Sequence, residues 1–243
     1  MSSRQLALDF PHEPRFAGAD FLPAASNAEA RAWLARRETW PQGRLALWGA
    51  PGCGKTHLLH VWAARVGAAR LAGPGLRFGG AFPRTPLAID DAELAPERDL
   101  LHLLNAAAEA GQPMLLAART PPARWPVRLP DLASRLRAIT AVEIHPAEEA
   151  LLRTLLARLL ADRHCVVPEA VQDWLLLRLP RTQAAMREAA ARLDRAALAA
   201  GRPVSRALAA TVLDEIGPDE FAAAPPAGEE TVQPGPPLPI LMP

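Results

Sequence analysis

The chain has 243 residues, of which 50% are hydrophobic, so it can bury a complete core without support from disulfides or metals. Acids and bases nearly balance to a formal net charge of +1, which argues against a strong overall attraction to DNA or to an anionic membrane. Cys53 and Cys165 lie far apart, and no apolar run is long enough for export or membrane insertion, so we expect a cytoplasmic protein without a membrane partner.

The N-terminal residues, 1–25, carry three prolines among scattered apolar residues and are predicted to form an extended arm. Ser26 or Asn27 can then cap a helix that continues to about Glu38. Pro41-Gln42-Gly43 ends this helix, because proline and glycine both interrupt helical backbone. From residue 26 to residue 146 we predict a single α/β domain.

A glycine-rich loop, residues 49–56, follows the first predicted strand, Leu45 to Trp48. It reads Gly49-Ala50-Pro51-Gly52-Cys53-Gly54-Lys55-Thr56 and matches the phosphate-loop pattern G-x-x-x-x-G-K-[ST]. Of the 27 basic residues only Lys55 is a lysine, so the one lysine of the chain stands where this pattern requires it. A predicted helix from Thr56 to Val66 completes the order of strand, loop and helix.

In this arrangement, backbone N–H groups of the loop surround the β-phosphate of a nucleotide at the positive end of the following helix. Lys55 is predicted to bridge the terminal phosphates, and the Thr56 hydroxyl to bind Mg²⁺. The alternative is an ordinary Gly/Pro turn before a helix. The predicted ligand is ADP or ATP with Mg²⁺. The residues predicted to contact it are Gly49, Pro51, Gly52, Cys53, Gly54, Lys55, Thr56 and His57.

Two acids follow the next predicted strand, Leu87 to Ile89. Residues 67–86 before it are rich in glycine and proline and predict only short or irregular pieces. Asp90 is predicted to hold the metal through water, and Asp91 to polarise the water that attacks the γ-phosphate. A pair of carboxylates that caps the next helix would have the same sequence, so this alternative stays open.

The remaining core elements alternate between helices and strands. They are a helix from Glu97 to Ala110, a strand from Met114 to Ala118, a short helix from Pro130 to Arg137 and a strand from Ile139 to Ile144. Strands separated by helices predict a mostly parallel sheet.

After residue 146 the strand pattern disappears and helical periodicity continues to residue 216. We predict four helices in residues 147–216 and assign them to a separate helical domain. The final residues, 217–243, are rich in proline and contain acids but no base, which is typical of a disordered tail.

The order of these motifs resembles the AAA+ core of the DnaA family of bacterial replication initiators. The resemblance rests on the phosphate loop, on residues 87–91, on the strand end at 118–120 and on residues 129–136, and it covers about residues 5–216. Residues 20–27 are also similar to the DnaA segment beside the adenine pocket. The resemblance implies an AAA+ P-loop NTPase fold, with a parallel five-stranded sheet and a C-terminal all-helical lid.

Two features are closer to the Hda proteins, the short regulatory homologues of DnaA. Too few residues follow the lid for the helix-turn-helix domain of an initiator, so we expect no sequence-specific DNA-binding domain. Near the N-terminus, Gln5-Leu6-Ala7-Leu8-Asp9-Phe10 is similar to a peptide that binds the β subunit of the DNA polymerase sliding clamp. Gln5 can hydrogen-bond at the rim of a pocket that Leu6, Leu8 and Phe10 fill. An arm that packs the same apolar residues on its own domain would look alike.

The resemblance also implies an arginine finger at Arg135, which would enter the nucleotide site of a neighbouring molecule. A surface arginine without this role is the alternative. Arg119 departs from the family pattern, because the fourth core strand usually ends in a polar or acidic residue there. The lid arginine that reaches the nucleotide is either Arg181 or Arg187, and the sequence slightly favours Arg181.

Taken with these motifs, the resemblance implies a negative regulator of replication initiation. Such a protein binds ADP and the sliding clamp and promotes hydrolysis of ATP bound to DnaA, with weak hydrolysis in its own site. Two other functions stay open: an AAA+ ATPase of the helicase-loader type that hydrolyses ATP in its own site, and a binding adaptor in which the nucleotide only stabilises the fold. The sequence does not decide between a monomer and a homodimer.

Overall fold

A computed structural model of the chain describes residues 22–80 and 83–215. The predicted clamp peptide, Gln5 to Phe10, lies outside the described residues, as do most of the predicted arm and the tail from residue 217. What the sequence predicts for these segments stays a prediction.

Five strands form one sheet. They are β1 Arg44–Trp48, β2 Ala69–Ala72, β3 Leu87–Asp90, β4 Met114–Ala118 and β5 Thr140–Glu143. All neighbouring pairs are parallel, and the order across the sheet is β2-β3-β4-β1-β5. β2 lies within residues 67–86, where the sequence predicts only short or irregular pieces. It is largely exposed at the edge of the sheet. Its own residues do not predict a strand, and it is held in the sheet by pairing with β3.

Side chains alternate along each strand, so every strand contributes to two faces of the sheet. Both faces are buried. One face carries Leu45, Leu47, Ala88, Leu115 and Ala117. The opposite face carries Ala46, Leu87, Ile89, Met114 and Leu116. This alternation directs Asp90, one residue after Ile89, to the same face as Ala88.

Helices cover the two faces. They are α1 Ala28–Ala35 and α2 Lys55–Val66 on the first face, and α3 Glu97–Glu109 and α4 Pro130–Arg137 on the opposite face. The core is therefore a sheet between two helical layers, and the carboxyl ends of its strands form one edge at which the phosphate loop lies.

The segment around α1 differs from the prediction. The helix ends before Glu38, because the backbone leaves the helical conformation at Arg36 and then forms a single 3-10 turn. Asn27 does not cap α1 with its side chain. Its amide instead donates to the Leu22 carbonyl and its side-chain oxygen accepts from the Ala24 N–H, both at 3.2 Å. Asn27 therefore fixes the chain that leads into the helix.

The rest of the described chain is helical. Its helices are α5 Glu149–Ala161, α6 Glu169–Leu176, α7 Gln183–Ala200 and α8 Arg206–Glu215. They pack around an apolar cluster of their own, in which Leu156, Leu175 and Leu193 are fully buried. We call these four helices the lid; the domain boundaries drawn from the sequence stay predictions. In the described part of the chain, no helix combines the length and the apolar character needed to cross a membrane.

Candidate nucleotide-binding site

The phosphate loop joins β1 to α2 at the carboxyl edge of the sheet. Gly54 caps α2 with a φ of 103°, a left-handed conformation that glycine adopts without strain. Gly49 lies so close to the chain after β5 that a Cβ would be 2.4 Å from the Ile144 carbonyl oxygen. Both glycines allow a backbone path that wraps around the positive end of α2, where anions bind. Pro51 is exposed in the same loop.

Lys55 is the first residue of α2 and is only 8% exposed. Its ammonium donates to the carbonyl oxygens of Gly49 at 2.8 Å and Ala50 at 2.9 Å, and lies 3.8 Å from the Cys53 sulfur. Burial raises the pKa of the Cys53 thiol, which the nearby ammonium opposes. The one ammonium side chain is thus held within the loop by neutral groups, an arrangement that suits an anionic ligand.

The Thr56 hydroxyl and the Asp90 carboxylate lie together. Thr56 follows Lys55 on α2, and Asp90 ends β3. Burial raises the pKa of Asp90; the Thr56 hydroxyl opposes this rise, and the charge of Asp91 adds to it. A hydroxyl beside a carboxylate supplies oxygen ligands of the kind that Mg²⁺ prefers.

These two residues fit a magnesium ion that a nucleotide helps to hold. Among the residues in 22–80 and 83–215, no group of three or more His, Cys, Asp or Glu side chains could hold a metal ion alone. Mg²⁺ usually keeps several waters and takes few protein ligands beside the phosphates. Thr56 and Asp90 therefore match a metal site that is complete only with the nucleotide.

The turn after β3 introduces a residue that the sequence analysis does not identify. Asp91 adopts a left-handed conformation with a φ of 46°, and the 3-10 turn that follows brings Glu93 to the end of β4. One carboxylate oxygen of Glu93 accepts the Arg119 N–H at 2.8 Å, and the other is buried without a hydrogen-bond partner. Because β4 lies between β1 and β3, this carboxylate is at the strand end between the phosphate loop and Asp90.

The lid contacts the phosphate loop through the start of α7. Gln183, the first residue of α7, is 7% exposed, and its amide donates to the Cys53 carbonyl at 3.4 Å. A Cβ on Gly54 would lie 3.1 Å from this amide nitrogen, and a Cβ on Gly52 would lie 3.2 Å from the Thr182 Cβ. The glycines that shape the loop therefore also let the lid approach it. No local sequence signal identifies Gln183.

Arg187, and not Arg181, is the lid arginine that faces α2. Its Nη2 lies 3.4 Å from Nδ1 of His57, which is buried on α2, and burial lowers the pKa of Arg187. The Arg181 side chain is 72% exposed, and its Nη2 lies 3.6 Å from a Glu149 carboxylate oxygen. Arg181 precedes the capping residue of α7, so the chain is not yet helical there and its side chain points outward. The geometry favours Arg187 over the residue that the sequence slightly favours.

Arg135 lies away from the phosphate loop. It is exposed on α4 and lines a groove with Gln42 and Ser134. Burial lowers the pKa of the Arg44 guanidinium, and the like charge of Arg135 lowers it further. Arg44 begins β1, whereas the phosphate loop follows Trp48 at the end of that strand. Five strand residues span about 15 Å. Arg135 and the phosphate loop are therefore at opposite ends of β1.

No protein-family model matches the sequence, and no curated protein matches it. Among solved structures, domain III of the replication initiation protein DnaA from Thermotoga maritima matches with a TM-score of 0.70 at 18% identity, over 85% of this chain and 98% of that chain. A RuvB variant from Thermotoga maritima matches with a TM-score of 0.60 at 18% identity, over 82% of this chain and 70% of that one. AMPPCP-bound DnaA from Aquifex aeolicus matches with a TM-score of 0.53 at 15% identity, over 69% of this chain and 61% of that chain.

These similarities are structural and show the fold. The chain has the AAA+ P-loop fold seen in domain III of DnaA and in RuvB, with a parallel five-stranded sheet, flanking helices and a helical C-terminal region. The fold class predicted from the sequence is confirmed.

Proposed function

We propose that this protein is a nucleotide-binding negative regulator of replication initiation, of the Hda type. It binds ADP or ATP with Mg²⁺, binds the β subunit of the sliding clamp, and uses Arg135 to promote hydrolysis of ATP bound to DnaA. The likeness of its fold to domain III of DnaA supports the replication context.

Nucleotide binding is supported by the residues that converge at the phosphate loop. The positive end of α2 and the Lys55 ammonium favour a di- or triphosphate. Thr56 and Asp90 supply oxygen ligands for Mg²⁺, which when bound neutralises charge on the phosphates. Gln183 approaches the loop from the lid, so the nucleotide would link the lid to the core.

The regulatory role is carried by the position of Arg135 relative to its own phosphate loop. The guanidinium lies at the far end of β1 and is exposed, so it cannot reach a nucleotide bound to the same chain. An exposed guanidinium in this position is available to a second molecule. Placed beside the phosphoryl group of a bound ATP, it would neutralise the charge that grows during transfer, an effect worth roughly 10³–10⁵ in rate.

The proposed partners are ATP-bound DnaA and the sliding clamp. Gln5 would hydrogen-bond at the rim of a clamp pocket, and Leu6, Leu8 and Phe10 would supply the apolar anchors. Binding to a clamp on DNA would bring Arg135 near DnaA. A homodimer is compatible with this role.

The test measures loss of ATP from DnaA. ATP-bound DnaA is mixed with DNA-loaded clamp, and the protein is added as the full chain or without residues 1–10. We expect the full chain to accelerate ATP loss, and the shortened chain to lose most of this effect. No acceleration by the full chain would refute the proposal.

The matched control compares two exposed arginines of the same helix. Arg135→Ala should remove the acceleration, whereas Arg137→Ala should preserve it. The two variants are matched, because both substitutions remove one positive charge from the surface of α4. Equal acceleration by the wild type and Arg135→Ala would exclude the finger mechanism. Equal loss in both variants would indicate only a general effect of charge.

A second candidate function is ATP hydrolysis in the protein's own site, as in an AAA+ ATPase of the helicase-loader type. The contact between Thr56 and Asp90, together with the Glu93 carboxylate at the end of β4, favours it. It predicts measurable hydrolysis by the isolated protein, which Asp91→Ala abolishes. An isolated protein that binds ATP but does not hydrolyse it would leave the regulatory role as the better explanation.

A further inference from the structure

Two arginines of the lid lie over the ring of one tryptophan. Trp174 is half-buried on α6, and the guanidinium carbons of Arg178 and Arg206 lie 4.3 Å and 5.5 Å from the centre of its ring. Arg178 follows α6 and Arg206 begins α8, so two helices bring these charges together. A guanidinium that lies over an aromatic ring keeps its in-plane N–H donors available to a carboxylate.

These two arginines have no carboxylate partner among residues 22–80 and 83–215. Arg178 donates to the backbone carbonyl of Trp174 at 3.3 Å. Asp173, the acid next to this tryptophan, pairs with Arg153 instead. Other lid arginines lie beside carboxylates: Arg153, Arg158, Arg181, Arg192 and Arg195. The surface around Trp174 therefore carries two positive charges of the same sign, which an incoming carboxylate would balance.

An exposed leucine extends this surface. Leu177 immediately precedes Arg178, and its side chain is 78% exposed. We call Trp174, Leu177, Arg178 and Arg206 the lid face. It fits an acidic peptide that also carries an apolar side chain. Single-stranded nucleic acid fits less well, because the two guanidiniums already lie over the ring on which a base would stack.

The C-terminal residues of the same chain have the complementary charge. Residues 217–243 contain no base, and their acids are Asp219, Glu220, Glu229 and Glu230. An apolar side chain, Phe221, follows the first two acids. These residues come after α8, a helix of 10 residues that begins with Arg206. Such a helix is about 15 Å long, a distance that about five extended residues cover, so the acids can return to its start.

We propose that the acidic segment, residues 219–230, docks on the lid face of its own chain. Its carboxylates accept hydrogen bonds from Arg178 and Arg206, and Phe221 supplies an apolar contact for Leu177. Exposed ion pairs are weak individually. A segment attached by a short connection is nevertheless present at an effective concentration of about millimolar, so weak contacts suffice. A docked segment would close the lid face to other acidic partners.

The test follows the Trp174 indole N–H by NMR, because this group is buried and makes no hydrogen bond within the described residues. A nitroxide is attached at Thr231→Cys in the full chain with Cys165→Ala, since Cys53 is buried. We expect the nitroxide to broaden the Trp174 resonance. Changing the four acids of the segment to their amides should reduce this paramagnetic broadening about fivefold. A Trp174 resonance that is not broadened, or broadening that survives the loss of the acids, would overturn the inference.

Variants of the lid face test the same contact from the other side. Arg178→Gln combined with Arg206→Gln should reduce the broadening about fivefold. The matched control is Arg158→Gln combined with Arg195→Gln, which also removes two charges from the lid and should preserve the broadening. Equal loss in both pairs would show only a general effect of charge and would count against docking. The amide variants of the segment keep the test decisive if the lid variants do not fold.

Two other occupants of the lid face are separated by the same signal. Broadening of Trp174 in an isotope-labelled chain without nitroxide, mixed with a nitroxide-labelled chain, would assign the segment to a second copy and refute docking within one chain. A thymidine oligonucleotide is then added to the wild type and to the chain without the four acids. Equal shifts of Trp174 in both would show that the lid face is open to nucleic acid, which contradicts the proposal.

Discussion

The Thr56 hydroxyl lies beside the Asp90 carboxylate and lowers its pKa, although the two residues belong to different elements, α2 and β3. Strand alternation directs Asp90 to the face of the sheet that α2 covers, which is why the two side chains meet. The contact brings both predicted magnesium ligands to one point beside the phosphate loop. It also places a charge where burial disfavours it, and such conflicts between stability and charge are common at functional sites.

Asp90→Asn should stabilise the nucleotide-free protein and impair magnesium-dependent binding. Because burial raises the pKa of Asp90 in the folded state, its stabilising protonated form is lost as pH rises through that pKa, and at neutral pH the buried charge is a cost. Asparagine removes this charge and can still accept from Thr56. We expect thermal unfolding about 2–4 °C higher without nucleotide. ATP affinity in the presence of Mg²⁺ should fall about tenfold. A lower unfolding temperature would contradict the assigned cost of burial.

Gln183→Glu should weaken nucleotide binding from the lid side. The amide lies against the Cys53 carbonyl and beside Gly54, so a carboxylate there would repel phosphates held by the loop. We expect the dissociation constant for ADP, measured by calorimetry, to rise about tenfold. Gln172→Glu is the matched control, because the Gln172 amide donates to the Val167 carbonyl within the lid. Equal effects of the two variants would show that the lid, and not this contact, was disturbed.

Much of the fold could be predicted because its signals are local. β4 and α4 have the bounds that the sequence predicts, since a continuous apolar run marks the strand and a proline at the first helical position marks the helix. β2 could not be placed in the same way. Its residues, Ala69–Ala72, are mostly exposed and lie among glycines and prolines, so only pairing with β3 orders them.

In the site too, some residues can be predicted from the local sequence, whereas others are placed only by tertiary contacts. The phosphate loop is eight consecutive residues, so its pattern is visible without a structure. Glu93 and Gln183 reach the site only because other elements bring them there, next to Arg119 and Cys53. Position along the sequence also cannot tell which lid arginine faces α2, because that depends on where α7 begins and how it packs.

Glu93→Gln should affect hydrolysis of ATP more than its binding. The Glu93 carboxylate is fixed by the Arg119 N–H at the strand end between the phosphate loop and Asp90, where it could orient water near a γ-phosphate. If the isolated protein hydrolyses ATP, we expect kcat to fall about 100-fold with little change in ATP affinity.

Glu97→Gln is the control for this variant. The Glu97 carboxylate likewise accepts backbone N–H groups, those of Arg128 and Leu129, but it belongs to α3 and not to the turn after β3. It should leave kcat unchanged. A Glu93→Gln protein with normal kcat would remove Glu93 from the reaction and leave Asp91 as the candidate.

Arg187→Met and Arg181→Met should separate the two candidate lid arginines. Arg187 lies against His57 at the junction of lid and core, whereas Arg181 is mostly exposed beside Glu149, and exposed ion pairs contribute little. We expect ADP to dissociate about tenfold faster from Arg187→Met, measured by stopped-flow displacement of a fluorescent analogue. Dissociation from Arg181→Met should stay within about twofold of the wild type. The reverse order would restore Arg181 as the residue that senses the nucleotide.

His60 should make stability depend on pH below neutrality. It lies half-buried on α2, and burial, with a smaller contribution from Arg70, lowers its pKa from 6.5 to about 4. Between these values the unfolded chain binds more protons than the folded chain. The free energy of unfolding therefore keeps its full value, as far as His60 is concerned, above pH 6.5 and decreases as pH falls towards about 4. His60→Gln should flatten this part of the profile in urea unfolding, whereas His102→Gln, at an exposed position on α3, should preserve it. A His60→Gln profile parallel to that of the wild type would mean that other groups cause the loss of stability in acid.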